Sequence, residues 1–303
     1  MKRTKITETV EYVEPRSMKL FRACAGALVH GSRRIAMDAN PGPGDVEALL
    51  EEFRPHVAFL SHYHIDHTIW ARAAVQAGAR VVIAESEVPL VRSLAHFVER
   101  TAGPAGLTES WERFVTETAG YGQVPAVAPL RAGDGVLDCG VPMELVPTPG
   151  HSPGHTAVFF PRDRILFTGD MGLDRFGPWY GWVDCDLAKM VESYLRLKAL
   201  DARVLLTSHG GVITGDIPAV WDRALGAIFR REAKVESWLD QGWDREHMIR
   251  EGLFFPNKDA VAEPMRSFLR MWDGTMVDHH AKALAQGGLR SLFPDVCKGL
   301  GIR

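Results

Sequence analysis

Three histidines and an aspartate fall within six consecutive positions, His62-Tyr63-His64-Ile65-Asp66-His67, directly behind the apolar run Val57-Ala58-Phe59-Leu60. A short apolar run of this kind reads as a buried strand. Imidazole and carboxylate are the common ligands of zinc and similar divalent ions. The end of a strand is also where a rigid scaffold hands over to a functional loop. A polar surface turn that happens to be rich in His is the plain alternative, and packing alone accounts poorly for four such side chains together.

The rest of the chain limits what this cluster can serve. Its 303 residues allow one large domain, or one domain and a smaller one. The net charge of −3 provides no basic field for holding nucleic acid, so nucleic acid is disfavoured as a partner. Cys24, Cys139, Cys185 and Cys297 stand far apart without a CxxC, which suits free thiols better than a disulfide frame. Residues 1–18 are charged and lack the apolar core of a secretion signal, and no run reaches membrane-spanning length, so no membrane partner is expected. The expectation is a soluble, cytoplasmic protein; aromatics in the tail are compatible with a homodimer.

Strands and helices alternate along the first two thirds, which argues for α/β layering. Strands are expected over Leu20–Val29, Ile35–Asp38, Val57–Leu60 and Arg80–Ala84, with helices from Asp45 (as N-cap) to Phe53 and from Thr68 to Gln76. Residues 87–121 read as an interrupted helical stretch, broken at Gly103-Pro104, that packs the core or serves as a lid. Short strands follow at Gly135–Leu137, Met143–Val146, Ala157–Phe160 and Ile165–Thr168, then a helix over Leu187–Leu200 and a strand over Val204–Leu206. Beyond Gly215 the periodicity turns helical, with breaks near Gly242, Pro256, Pro264 and Gly274. This places a domain boundary near 215, with a catalytic domain over 1–215 and a helical module over 216–303.

Ligand-type residues return at later strand ends. Thr148-Pro149-Gly150-His151-Ser152-Pro153-Gly154-His155 is a tight loop, Phe167-Thr168-Gly169-Asp170 ends a strand on a carboxylate, and Leu205-Leu206-Thr207-Ser208-His209 ends another on a His. Glycines beside these residues let the backbone turn sharply enough to bring the side chains to a shared point. A lone His after a strand is more often a hydrogen-bonded loop residue; the set in this order does not read that way.

With these residues in view, the chain resembles the metallo-β-lactamase-fold hydrolases over about residues 18 to 215. The HxHxDH motif is His62, His64, Asp66 and His67, and the later positions are His151, Asp170 and His209. The resemblance implies a four-layer αββα sandwich with a C-terminal helical module and a site for two divalent metal ions. His62, His64 and His151 would hold one metal, Asp66, His67 and His209 the other, and Asp170 would bridge them. Asp38 matches the Asp that the family places behind its ligands, and His155 reads as a structural residue or one behind the ligands. Zinc is the first choice of metal, with iron or manganese also suited to such a set.

The family's β-lactamases lack an Asp at the bridging position, so Asp170 argues against antibiotic hydrolysis. The pattern looks like glyoxalase II, the lactonases and the bacterial quorum-signal thioesterases. The implied activity is hydrolysis of a small-molecule carboxylic thioester or ester by a metal-bridging hydroxide, with Asp66 and Asp170 as catalytic residues and Asp66 able to shuttle a proton. A lactonase, a metal-dependent phosphodiesterase or nuclease, a mononuclear iron dioxygenase and a regulatory protein on a hydrolase fold are the rival readings.

Substrate residues are sought in the stretch after Asp170, Leu173 to Trp182, which holds Phe176, Trp179, Tyr180 and Trp182. These four would suit an apolar or aromatic acyl group, or else pack the junction with the helical module. Tyr63 points away from the metals if its segment is extended. In the tail, Asp278-His279-His280 reads as a solvated helix face or, through His280, a substrate contact. Arg230, Arg231 and Lys234 read as a solvated helix face or a contact for an anionic carrier such as coenzyme A.

Overall fold

Alternate residues of each central strand belong to different cores. Val57 and Phe59 face one cluster and Ala58 the other; Ile35 and Met37 divide from Ala36, and Ile165 and Phe167 from Leu166, in the same way. A strand buried on both faces is what layered α/β architecture requires. In the computed structural model, which describes residues 1–18, 21–131, 133 and 135–302, two sheets pack face to face and helices cover their outer faces.

The first sheet runs, in chain order, through β1 (Lys2–Lys5), β2 (Val10–Glu14), β3 (Gly26–His30), β4 (Arg34–Met37), β5 (Val57–Phe59), β6 (Arg80–Ala84) and β7 (Ala128–Leu130). It is antiparallel up to β4 and parallel from β4 to β7. The second has the order β12 (Gly211–Ile213), β11 (Val204–Thr207), β10 (Ile165–Gly169), β9 (Thr156–Phe160) and β8 (Glu144–Pro147). Only β10 and β11 pair in parallel within it. Between the sheets lies a core of Val29, Met37, Phe59, Phe160, Phe167 and their neighbours. The αββα layering expected from the resemblance is therefore present.

Several local expectations need correction. The charged N-terminus forms the hairpin β1–β2, whose edge is tied by Arg3 to Glu11 at 2.7 Å and Lys2 to Glu14 at 2.9 Å. Charge on an edge strand hides its period-two pattern, although Val10 and Tyr12 are buried. Strands β7 and β12, three residues each, were not expected either. Residues 135–137 form a turn rather than a strand. Asp45 is the first residue of its helix, not its cap; Gly44 precedes it and its N–H is held by Glu47 at 2.8 Å. The helix expected over 68–76 is two short ones, Ile65–Thr68 and Ala71–Gln76. The strand expected over 20–29 begins at Gly26, and Leu20 lies outside the described residues.

Beyond Gly215 the described elements are helical, principally Ile217–Asp240, Arg245–Glu251 and Met265–Ala285. Gly274 breaks nothing. It lies inside the third helix, where a Cβ would sit 2.6 Å from Arg245 Nη2 and 3.0 Å from Ile249 Cδ1, so it is a close-approach point between helices. Phe268, Trp272 and Met276 share one continuous core with Trp111 and Trp182. Among the described residues, no helix is long and apolar enough to cross a membrane.

Candidate metal centre

Five loops at one edge of the two sheets carry the ligand-type residues to one place. β4 delivers Asp38, β5 delivers Ser61 to His67, the turn between β8 and β9 delivers His151 and His155, β10 delivers Asp170 and β11 delivers His209. Gly169 has φ 57°, and a Cβ there would lie 2.6 Å from His155 Nε2. Only a residue without a side chain takes that turn, which swings Asp170 into the site.

Ligand atoms of His62, His64, His151 and Asp170 lie within 4.8 Å of one another, and those of Asp66, His67 and His209 do likewise. His151 Nε2 stands 3.2 Å from His62 Nε2 and 3.0 Å from His64 Nδ1. Metal–nitrogen bonds of about 2.0–2.1 Å in a tetrahedron would separate their nitrogens by about 3.3 Å. One carboxylate oxygen of Asp170 lies 3.5 Å from His151 Nε2 and 3.5 Å from His209 Nε2, between the two sets. Asp66 reaches His209 Nε2 at 3.1 Å and His67 Nε2 at 3.8 Å.

For three of the rings, bonds on the opposite side fix which nitrogen is free. His67 Nδ1 is held by Asp38 at 2.8 Å, while its buried Nε2 has no hydrogen-bond partner. His151 Nδ1 bonds the carbonyl of Trp179 at 2.9 Å, and His62 Nδ1 meets Ser61 Oγ at 2.9 Å. Such outward bonds hold each imidazole as a tautomer with a bare nitrogen facing inward. Burial, reinforced by neighbouring imidazoles, pushes His62 and His64 well below the ordinary His range, so both are neutral. Burial works against the charge on Asp170, but His209 and His151 outweigh it and hold the carboxyl well below its usual range. Burial also works against charge on His67 and His209, but the carboxylates beside them outweigh it and raise both above the ordinary His range, so that set attracts positive charge. Imidazoles converging with ionised carboxylates, and an orphaned His67 nitrogen aimed among them, fit a pair of divalent cations.

Asp38 also lies within ligand distance of His62 and His67. Its oxygens are already engaged: Oδ1 accepts from Ser61 N at 2.8 Å, and Oδ2 accepts from Ser61 Oγ and His67 Nδ1. It orients His67 rather than facing the centre. His155 stands behind Asp170, where Nε2 accepts the Asp170 N–H at 3.1 Å and Nδ1 bonds Thr148 Oγ1 at 2.7 Å. Tyr63 turns away into the core and bonds Asp184 at 3.0 Å.

Sequence reasoning missed the groups that hold the loops together. Buried Glu87 accepts from Ser152 Oγ and from Gly154 N at 2.7 Å, anchoring the turn that bears His151 and His155. Asn40 Nδ2 donates to the Asp66 carbonyl. Ser61 adjoins the motif and could have been singled out; nothing in the sequence marks Glu87 or Asn40.

A cavity of about 360 Å³ opens on His64, Asp66, Asp170 and His209. Trp179 and Trp182 line it, and Phe176, 60% exposed, stands at its mouth. Trp111 and Phe97 of the interrupted helical stretch, and Trp272 and Phe254 of the tail, complete the wall. Tyr180 and His280 do not reach it. They are buried against each other, with Tyr180 Oη 2.8 Å from His280 Nε2, and burial pushes the His280 ring down to about 3. The expected substrate contact through these two residues is thus a packing bond. Asp278 pairs with Arg245 at 2.7 Å, and His279 bonds the Trp182 carbonyl at 2.8 Å. Arg231 is spent on the carbonyls of Phe176 and Pro178, and Lys234 on that of Gly252 at 3.1 Å, so neither is a free anion contact.

The family model of the Metallo-beta-lactamase superfamily matches residues 41–209, more than half of the chain. The chain belongs to the metallo-beta-lactamase superfamily. Members of this superfamily are mostly metal-dependent hydrolases, and the His/Asp clusters of this one are compatible with a dinuclear site. Among solved structures, this metallo-beta-lactamase superfamily chain is similar to a metallo-beta-lactamase family protein from Thermus thermophilus. The two are 21% identical with a TM-score of 0.67, covering 93% of this chain and 95% of the other. A beta-lactamase domain protein from Burkholderia ambifaria is 16% identical, with a TM-score of 0.66 over 94% of this chain and 89% of the other. A superfamily protein from Sulfolobus tokodaii is 18% identical, with a TM-score of 0.55 over 91% and 99%. These likenesses concern the fold. No curated protein matches the chain.

Proposed function

We propose that the protein is a dinuclear metal-dependent hydrolase that cleaves a small carboxylic thioester or ester. The observation that carries this reading is the place of Asp170. Its carboxylate lies 3.5 Å from a nitrogen of each ligand set and also lines the apolar cavity, so the chemistry and the binding space share one wall. His62, His64 and His151 would hold one ion, Asp66, His67 and His209 the other, with Asp170 between. When bound, two such ions supply Lewis acidity and a water of lowered pKa. Zinc is our first assignment, with iron and manganese as competitors.

The chain's own groups do the rest. Asp66 faces both His209 and the cavity, where a carboxylate can pass a proton to a departing thiolate or alkoxide. The indole walls exclude water from the acyl group and hold it beside the ligands. The buried free cysteines suit a reducing compartment, which we take to be the cytoplasm.

The test is thiol release from a panel of acyl and aryl thioesters, with metal content measured alongside, in the wild type and in Asp170→Asn. Rapid release that the variant loses together with bound metal supports the reading. No release from any thioester or ester sinks it and moves the search to lactones and then phosphodiesters. Full metal and full rate in the variant overturns the bridging role of Asp170.

A further inference from the structure

The walls of the cavity carry information beyond the reaction type. Trp179, Trp182 and Trp272 pack on one another edge to face. Their ring centroids are 5.6 Å apart for Trp179–Trp182 at 81°, 6.0 Å for Trp179–Trp272 at 77°, and 5.6 Å for Trp182–Trp272 at 86°. Trp111 joins them at 5.5 Å from Trp182 and 5.8 Å from Trp272. A cage for a quaternary ammonium needs ring faces that stand apart around an empty centre. Here each indole is already in contact with its neighbours, so the cluster forms a continuous floor instead of a cage. Its buried members, Trp111, Trp272 and Trp182, are only 1%, 2% and 5% exposed and cannot swing aside without disrupting the core.

Charge narrows the choice further. Among the described residues no Lys or Arg lines the cavity. Apart from the groups assigned to metal, the charged lining residue is Asp174, whose carboxylate is turned to the N–H groups of Phe176 at 2.7 Å and Gly177 at 3.1 Å. Among the described lining residues, a carboxylate or phosphate carried by the acyl group would meet indole and no Lys or Arg, and an unpaired buried charge is costly. The nearest cation on the same loop, Arg175, is exposed and lies 4.7 Å from the ring of Phe176, outside the mouth. The described lining therefore favours an anion on the outward, leaving-group side. The volume, about 360 Å³, is near the small end of the ~300–1,000 Å³ range of small-molecule sites.

We infer that the acyl part of the substrate is uncharged and carries an aromatic ring, which lies on the indole floor while the leaving group points out past Phe176. A flat ring gains edge-to-face contacts with the half-buried Trp179 at the cavity wall that a linear alkyl chain does not. The inference rests on the hydrolytic reading only for the bond that is cut; the fit of the ring to the floor is independent of it.

The experiment uses the metal-loaded protein and three thioesters of the same neutral thiol, N-acetylcysteamine: phenylacetyl, hexanoyl and succinyl. Phenylacetyl is expected to exceed hexanoyl by about tenfold in kcat/KM, and succinyl by about a hundredfold or more. In parallel, quenching of tryptophan fluorescence is titrated with phenylacetamide and with succinamate, neither of which needs to be hydrolysed. Trp179→Ala and Trp179→Phe, at a half-buried position, are compared in both assays. Trp179→Ala is expected to raise KM for phenylacetyl about tenfold and KM for hexanoyl by clearly less, and Trp179→Phe to recover most of the loss for phenylacetyl. If no thioester is cleaved but phenylacetamide still binds and Trp179→Ala abolishes it, the hydrolytic reading fails and this inference stands. Succinyl turned over as well as phenylacetyl, or succinamate bound as tightly as phenylacetamide, overturns the inference. So does the absence of binding by either amide.

Discussion

His151 donates its Nδ1–H to the backbone carbonyl of Trp179 at 2.9 Å. One hydrogen bond thus links a metal-facing imidazole to the floor of the cavity, across 28 residues of sequence. It leaves Nε2 bare toward His62 and His64, and it fixes the loop that follows Asp170. The position of the metal centre and the shape of the binding space are consequently set together.

Asp38 does for His67 what Trp179 does for His151. Asp38→Asn replaces an acceptor by a donor beside His67 Nδ1 and releases its tautomer. Metal affinity at the Asp66–His67–His209 set is expected to fall about 10–100-fold, with the fold retained. Competition with a graded chelator measures this; an unchanged affinity would show that Asp38 does not orient the ligand.

Glu87 gives the protein a pH-dependent term in its stability. Burial, with Asp184 adding to it, pushes this carboxyl up from 4.5 to about 8. Asp184 in turn faces Tyr63 and Arg100. The folded state therefore holds a proton that the unfolded chain releases. The contribution is full below about pH 4.5 and is lost as pH rises toward 8, by an amount of the order of a few kcal/mol. Urea denaturation at several pH values should show wild type weakening across that window and Glu87→Gln weakening less. Parallel pH profiles for the two proteins would sink the prediction.

Lys258 and Asp273 form an ion pair at 2.9 Å with both side chains fully buried. Asp273 also accepts from the backbone N–H of Phe254 at 2.8 Å, and Phe254 lines the cavity. Asp273→Ala leaves a buried cation unpaired and is expected to cost about 3–5 kcal/mol. Replacing the pair by Lys258→Met with Asp273→Leu should recover much of that loss. Denaturation midpoints of the single and double variants decide it.

Tyr180 bonds His280 deep behind the floor, so Tyr180→Phe is expected to cost about 1 kcal/mol of stability and to leave KM within twofold. A KM shift comparable to that of Trp179→Ala would instead place Tyr180 in the binding space.

The sequence by itself determined the local chemistry and the layering. All the ligand-type residues but His151 follow short apolar strands, and that pattern was readable because strand burial and turn-forming glycine are local properties of His62–His67, of Gly169-Asp170 and of Leu206–His209. Tertiary structure decided which polar groups stand behind the ligands. Glu87 and Asn40 carry no local mark, since a buried carboxylate and a surface one are written with the same letter until the partner loop, 65 residues away for Ser152, closes on it. The same holds for the four aromatics after Asp170. Composition named them as a group, but only packing against Trp111 and Trp272 divided Trp179 and Trp182, at the cavity, from Tyr180, behind it. Successive residues of an irregular loop point in directions that no period predicts, so their roles depend on contacts from distant parts of the chain.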